Sequence, residues 1–196
     1  MNRKKFQILL FWLILLSGCT GNKQTENKLY QAEKIMYSAP DSAWHILNGI
    51  ERSELRNNHI TARYALLYAQ AQEVCRIQPE NDSLIRLAWK YYKKYPQELH
   101  NQCKSLYYWG RIRLQRGDHP GALRLFLQNE EKLQEIDDPY YLGRLYQCIG
   151  EVYYAELNYV RAYNYFREAY RLFIRSGNTP ERVKTLLAMT ATSLWM

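Results

Sequence analysis

Four times along this chain a small residue is followed, four positions later, by a large apolar one. The pairs are Ala43/Leu47, Ala88/Tyr92, Ala122/Phe126 and Ala162/Phe166, at intervals of 45, 34 and 40 residues. Residues i and i+4 lie one turn apart on the same helix face, so each pair is a notch beside a knob. In the last two units a glycine stands twelve residues before the alanine, Gly110 before Ala122 and Gly150 before Ala162. Glycine inside a helix costs about 1 kcal/mol against alanine. Two at one repeat position imply a neighbouring helix that comes very close. Self-similarity at a fixed period separates stacked helical units from a bundle with one closed core.

From Lys28 onward apolar residues keep helical spacing and no stretch alternates as a strand does. Breaks fall at Pro40-Asp41-Ser42, Asn81-Asp82-Ser83, Asp118-His119-Pro120, Asp138-Pro139 and Thr179-Pro180. Each offers a side-chain oxygen for the orphan amides of a helix start, often with a proline in the first turn, where its missing N–H is not needed. They predict nine helices, at about 28–38, 41–51, 59–77, 82–95, 101–116, 119–135, 139–156, 159–176 and 180–195. On the last, Val183, Leu187, Ala191 and Leu194 are expected to face inward, leaving Ala188, Met189 and Trp195 partly open.

Tyr146, Ile149, Gly150, Tyr153, Tyr159, Ala162, Phe166 and Ala169 fill eight signature positions of a tetratricopeptide repeat, and residues 139–176 resemble one. Residues 101–135 resemble another through Leu106, Trp109, Gly110, Gly117-Asp118, Ala122 and Phe126. Ala39-Pro40-Asp41-Ser42-Ala43 and Ala62-Arg63-Tyr64-Ala65-Leu66-Leu67 are similar to the opening of tetratricopeptide lipoproteins of Gram-negative bacteria. The resemblance implies an all-α fold over 28–196: a right-handed solenoid of antiparallel helix pairs, about four pairs plus a terminal helix. Gly110, Ala122, Phe126, Gly150, Tyr153, Ala162 and Phe166 are its structural repeat positions. The chain departs from the pattern at Arg113, where an aromatic is usual, and at Asn129, where a second alanine is usual. The terminal proline is missing from both repeats, and the period of 40 exceeds the standard 34.

The first five residues carry Arg3, Lys4 and Lys5, and an apolar run broken only by Gln7 follows from Phe6 to Leu16. That run is too short for the roughly 20 residues of a membrane-spanning helix and has the shape of an export signal. It closes with Leu16-Ser17-Gly18-Cys19, which resembles the lipobox of bacterial lipoproteins at all four positions. The resemblance implies cleavage after residue 18 and lipidation of Cys19. Residues 19–27 are then expected as a flexible polar tether. No Asp follows Cys19, which leans the expected location toward the outer membrane, with the folded part in the periplasm or at the surface.

The formal charge of +8 falls to +5 once the three basic residues of the signal are removed. What remains is spread over helices without a basic stripe or a nucleic-acid motif, so no nucleic-acid partner is expected. Cys75, Cys103 and Cys148 show no metal-type spacing and read as small buried thiols, although one bridge stays open. His45, His59, His100 and His119 stand apart, no two at the i, i+4 spacing of a zinc helix. There is no phosphate loop and no nucleophile elbow. No catalytic residue, metal or cofactor is expected, and no enzyme.

A helical array binds along the face built by the first helix of each pair. Counting from the signature glycines, that face carries Lys104, Tyr107, Arg111 and Gln115, then Arg144, Gln147, Glu151 and Tyr154. Cations flanked by tyrosine suit an acidic or carboxylate-bearing protein or peptide partner. The leading expectation is a membrane-anchored lipoprotein acting as a protein-interaction module. Two alternatives stay open: the sensing part of a longer signalling regulator, which relatives of this kind continue into, and a glycan-binding envelope lipoprotein. The second rests on the eighteen tyrosines and five tryptophans, whose rings stack on sugars.

Overall fold

The computed structural model describes residues 23–196. Among them it is all-α, a helical-repeat fold with no strand, in which helices that follow one another within a unit pack as neighbours. The signal at 1–18 and the lipidation site Cys19 lie outside the described residues. The helices fall into two compact units, the first ending at Pro79 and the second running from Glu80 to Met196.

In the first unit α1 runs through 23–35, α2 is Pro40–Asn48, a short 3-10 turn is Arg52–Glu54, and α3 is Asn58–Val74. Leu29, Ala32, Met36, Ala43, Leu47, Ile60, Leu67 and Ala71 form one buried cluster, with Trp44 and Tyr68 packed on it 4.9 Å apart. The tether expected over 19–27 does not include its last five residues. Residues 23–27 are already helical, and Thr25 is buried, with its hydroxyl 3.4 Å from Glu54. Polar residues can begin a helix when a later acid reaches back to them; Glu54 holds Lys28 at 2.7 Å in the same way. The Lys28 hydrogen bond keeps the Glu54 carboxyl below its usual range. Cys75, expected buried, is only half-buried at the end of α3.

The second unit holds α4 (Ser83–Tyr92), a 3-10 turn (Pro96–Glu98), α5 (Leu99–Gln115), α6 (His119–Leu133), α7 (Pro139–Ala155), α8 (Tyr159–Arg175) and α9 (Thr179–Ser193). Helices α5 and α6, and then α7 and α8, interlock as the notches and knobs predict. A β-carbon on Gly110 would overlap the Phe126 ring, and one on Gly150 would stand 2.6 Å from Phe166. Gly143 repeats the device against Phe173 at 2.9 Å, a third close approach that the repeat pattern did not single out.

The turns between helices reuse one residue for two tasks. At the end of α5, the Gly117 amide donates to Leu114 and the Asp118 amide to Arg113. This is a double C-terminal cap that needs a left-handed residue at 117. Asp118 then turns its carboxylate to the Gly121 amide, 3.0 Å away, and starts α6. Leu157-Asn158 and Gly177-Asn178 repeat the arrangement at the ends of α7 and α8. Asn178, not Thr179, is therefore the cap of α9. Leu157 carries φ of +58° at a position where Gly117 stands one period earlier.

The last helix is turned the other way from the sequence expectation. Glu181, Thr185 and Thr192 face the protein, while Val183, Leu187, Ala191 and Leu194 face solvent. The more apolar side of a helix goes inward only when the neighbouring unit offers a surface in that direction. Here the register of the repeat decides. Thr185 and Thr192 stand one period after Leu145 and Val152, both buried in α7. Their hydroxyls donate to the carbonyls of Glu181 and Ala188, which removes the cost of burying them.

Candidate functional site

Helices α5, α7 and α9 lie in the same register, each starting 40 residues after the last. The eight residues expected to line their common face do not form a uniform basic wall. Tyr107 is buried, its ring 6.4 Å from that of Phe126, so it is not a surface for a partner. Its hydroxyl accepts two hydrogen bonds from Arg144, at 2.7 and 3.2 Å, and the guanidinium also lies over the ring. Arg144 continues to Glu181 of α9 at 3.5 Å, and Lys184 reaches the same carboxylate at 2.8 Å. Arg111 donates to Glu151 at 2.8 Å and approaches the Cys148 sulfur at 3.8 Å.

Tyr107, Arg111, Arg144 and Glu151 therefore tie first helices together. The expected cationic lining is spent on internal carboxylates, and an incoming acid would have to displace Glu151 or Glu181 to use it. Lys104 sits over the Tyr141 ring at 5.7 Å, and His100 meets that ring edge-on at 5.3 Å. Of the rest, Gln115 and Tyr154 are exposed and Gln147 is half-buried. Tyr154 packs edge-on against Tyr159 at 5.5 Å.

Glu181, Tyr141, His100 and Cys148 belong to this face and were not placed on it from the sequence. A spacing could have found them. Lys104 with Tyr141, Tyr107 with Arg144 and Arg144 with Glu181 are each 37 residues apart. That is one period forward and one helical turn back. His119 and Glu156, in contact at 2.7 Å on the turns, share it.

The departure at Arg113 has a structural use. Its guanidinium donates to Asp82 at 2.6 Å, before α4, and to Asp118 at 2.7 Å, the cap of α6. Trp109 donates its indole N–H to the same Asp82 oxygen at 2.6 Å. Asp82 makes no cap bond to its own helix; its carboxylate serves α5 instead. Burial alone would raise the Asp82 carboxyl, but the bonds from Trp109 and Arg113 outweigh it and hold it below the usual range. The Arg113 hydrogen bond does the same for Asp118. Asn129, in place of the second alanine, is buried and donates to the Cys103 carbonyl at 2.9 Å. The Cys103 thiol is pushed up to about 11 by burial, which leaves it inert at neutral pH. Among the described residues no three His, Cys, Asp or Glu side chains stand together as metal ligands, and no helix is long and apolar enough to cross a membrane.

No family model matches the chain, and no curated protein matches it. Among solved structures it is similar to the crystal structure of BtubC (BKLC) from P. vanneervenii, with a TM-score of 0.62 and 12% identity. The match covers 90% of this chain and 83% of that one. At that identity the likeness is one of fold.

Proposed function

We propose that the chain is an exported lipoprotein, anchored through Cys19, whose helical array works as a protein-interaction module. The observation that carries this reading is the face of α5 and α7, where internal ties fix the helices and leave Gln115, Gln147, Tyr154 and part of Lys104 open beside them. A surface already held in place loses little freedom on binding, which favours capture of an extended segment. Polar amide side chains and tyrosine at its border suit a peptide whose backbone needs donors and acceptors.

The test places a photo-crosslinking amino acid at Gln115, at Tyr154 and, as a comparison, at Arg171 on the exposed side of α8. In intact cells, protein adducts specific to the first two positions are expected. Identical adducts at all three would end the reading.

A further inference from the structure

The cations that the sequence reading spread over the helices are gathered at one end of the second unit. Residues 159–196 hold six, Arg161, Arg167, Arg171, Arg175, Arg182 and Lys184, against Glu168 and Glu181. Residues 119–158 hold three against seven carboxylates. The sign of the charge therefore reverses between α6–α7 and α8–α9. Arg167, Arg171 and Arg175 follow at intervals of four, one row along the exposed side of α8. Their partners within the protein are few and open to water. Glu168 is shared by Arg167 at 3.5 Å and Arg171 at 2.9 Å, and Arg175 meets the exposed Asp137 at 3.3 Å. Ion pairs as exposed as these contribute little, so an external anion can replace them.

Beside that row lies an apolar surface without a carboxylate. Val183, Leu186, Leu187 and Leu194 project from α9, the last two 66% and 79% exposed, and no acid occurs from Arg182 to Met196. The two surfaces join. Val160 stands seven residues before Arg167 and eleven before Arg171, on the same row, and it shares a shallow recess with Trp195 and Met196. Tyr159 of α8 stacks with Trp195 at 6.3 Å. Hydroxyls on the open side of α9 are already used: Thr190 donates to the Leu186 carbonyl at 3.0 Å and Ser193 to the Thr190 carbonyl at 2.8 Å. Such a side can leave water without stranding a donor.

We propose that the α8–α9 end of the second unit rests on the anionic headgroup surface of a lipid bilayer. The proposal takes its bilayer from the anchored reading given above; the contact itself is carried by charge and shape. Guanidinium forks pair with lipid phosphates, while the leucine tips and the Trp195 ring enter the boundary between headgroups and acyl chains. A row of cations beside projecting apolar tips fits a plane and offers no groove for a peptide. The same plane repels the acidic α6–α7 pair, so contact is made through the end of the unit and not along its side.

The experiment reconstitutes the full chain into vesicles of phosphatidylcholine, alone or with one-third phosphatidylglycerol. An environment-sensitive fluorophore is attached at L194C on α9 or at Q128C on α6, and the chain without either substitution sets the background from its own cysteines. Flotation reads attachment separately from docking. With phosphatidylglycerol, the L194C probe is expected to be quenched by a spin label carried just below the headgroups and the Q128C probe to be spared; without the acidic lipid, neither is quenched. A basic residue near an anionic surface gives roughly a fivefold preference for it. Arg167→Gln with Arg171→Gln should therefore lower the ratio of docked to free ends about 25-fold, with helicity unchanged because both side chains are exposed.

A chain that floats with L194C unquenched in the acidic vesicles overturns the proposal and leaves the anchor standing. Flotation that needs both the acidic lipid and the two arginines supports the end surface and removes the anchor. Equal quenching in the two kinds of vesicle, or at the two positions, overturns docking by charge through this end. So does quenching indifferent to the two glutamines. Crosslinking of position 194 to an acidic protein in intact cells, with no quenching in either vesicle, gives the surface to that protein and overturns the proposal.

Discussion

At Gly110 the missing β-carbon leaves room for the Phe126 ring, and Gly110→Ala restores an atom where that ring already lies. Overpacking a filled core costs about 1–3 kcal/mol, more than the roughly 1 kcal/mol that alanine returns in helix propensity. The variant is expected to unfold at lower urea than the parent. Leu157 is the opposite case. Leu157→Gly relieves a left-handed backbone angle and removes a side chain that packs on little, so a gain of about 1 kcal/mol is expected, seen as a higher thermal midpoint. Gly110 and Gly150 were legible because a glycine weakens its own helix and persists there where a neighbour fills the space it leaves. Leu157 was not, since a leucine carries no mark of its φ; only the alignment with Gly117 reveals it.

Among the elements, the start of α4, the end of α5 and the cap of α6 depend on one guanidinium between two carboxylates. Both carboxyls are held below their ordinary values in the folded chain. Their contribution is therefore present above the unfolded pKa, about 3.9 for Asp, and is lost as pH falls through the lower folded values. The helical signal should melt more easily below about pH 4, and Asp82→Asn should flatten that acid dependence while lowering stability at neutral pH. Thermal melts followed from pH 7 to 2.5 check both. Caps such as Asp118 and Asp138 could be read in advance because donor and acceptor lie three residues apart. The Asp82 partnership spans 27 and 31 residues and could not. The orientation of α9 was misread for a related reason: hydropathy within one helix knows nothing of its neighbour's register.

Across the molecule, the 40-residue period, the boundaries of α5 to α9 and the all-α class were visible in the sequence, because each is written in local spacing; the ends of α1, α3 and α4 were not. The common face of α5, α7 and α9 was visible only as a set of positions. Whether Arg144 points to a partner or to Tyr107 and Glu181 depends on side chains 37 residues away. Arg144→Gln removes a charged donor from both and is expected to cost about 1–2 kcal/mol, with amide exchange quickening in α9 more than in α4. At the other end of the chain, Cys19→Ala should move the protein from the membrane fraction to the soluble one and abolish acyl labelling; unchanged fractionation would exclude the lipid anchor.

The offset of 37 also limits how such a chain can vary. Adding or removing a whole 40-residue unit would leave a matching donor and acceptor on each side of every junction. Adding three or four residues to a single turn would swing the first helix after it out of step with the one before, and the staples that span that turn would miss. A family built on this plan is free to change its count of units, but their length is locked by the reach of an arginine.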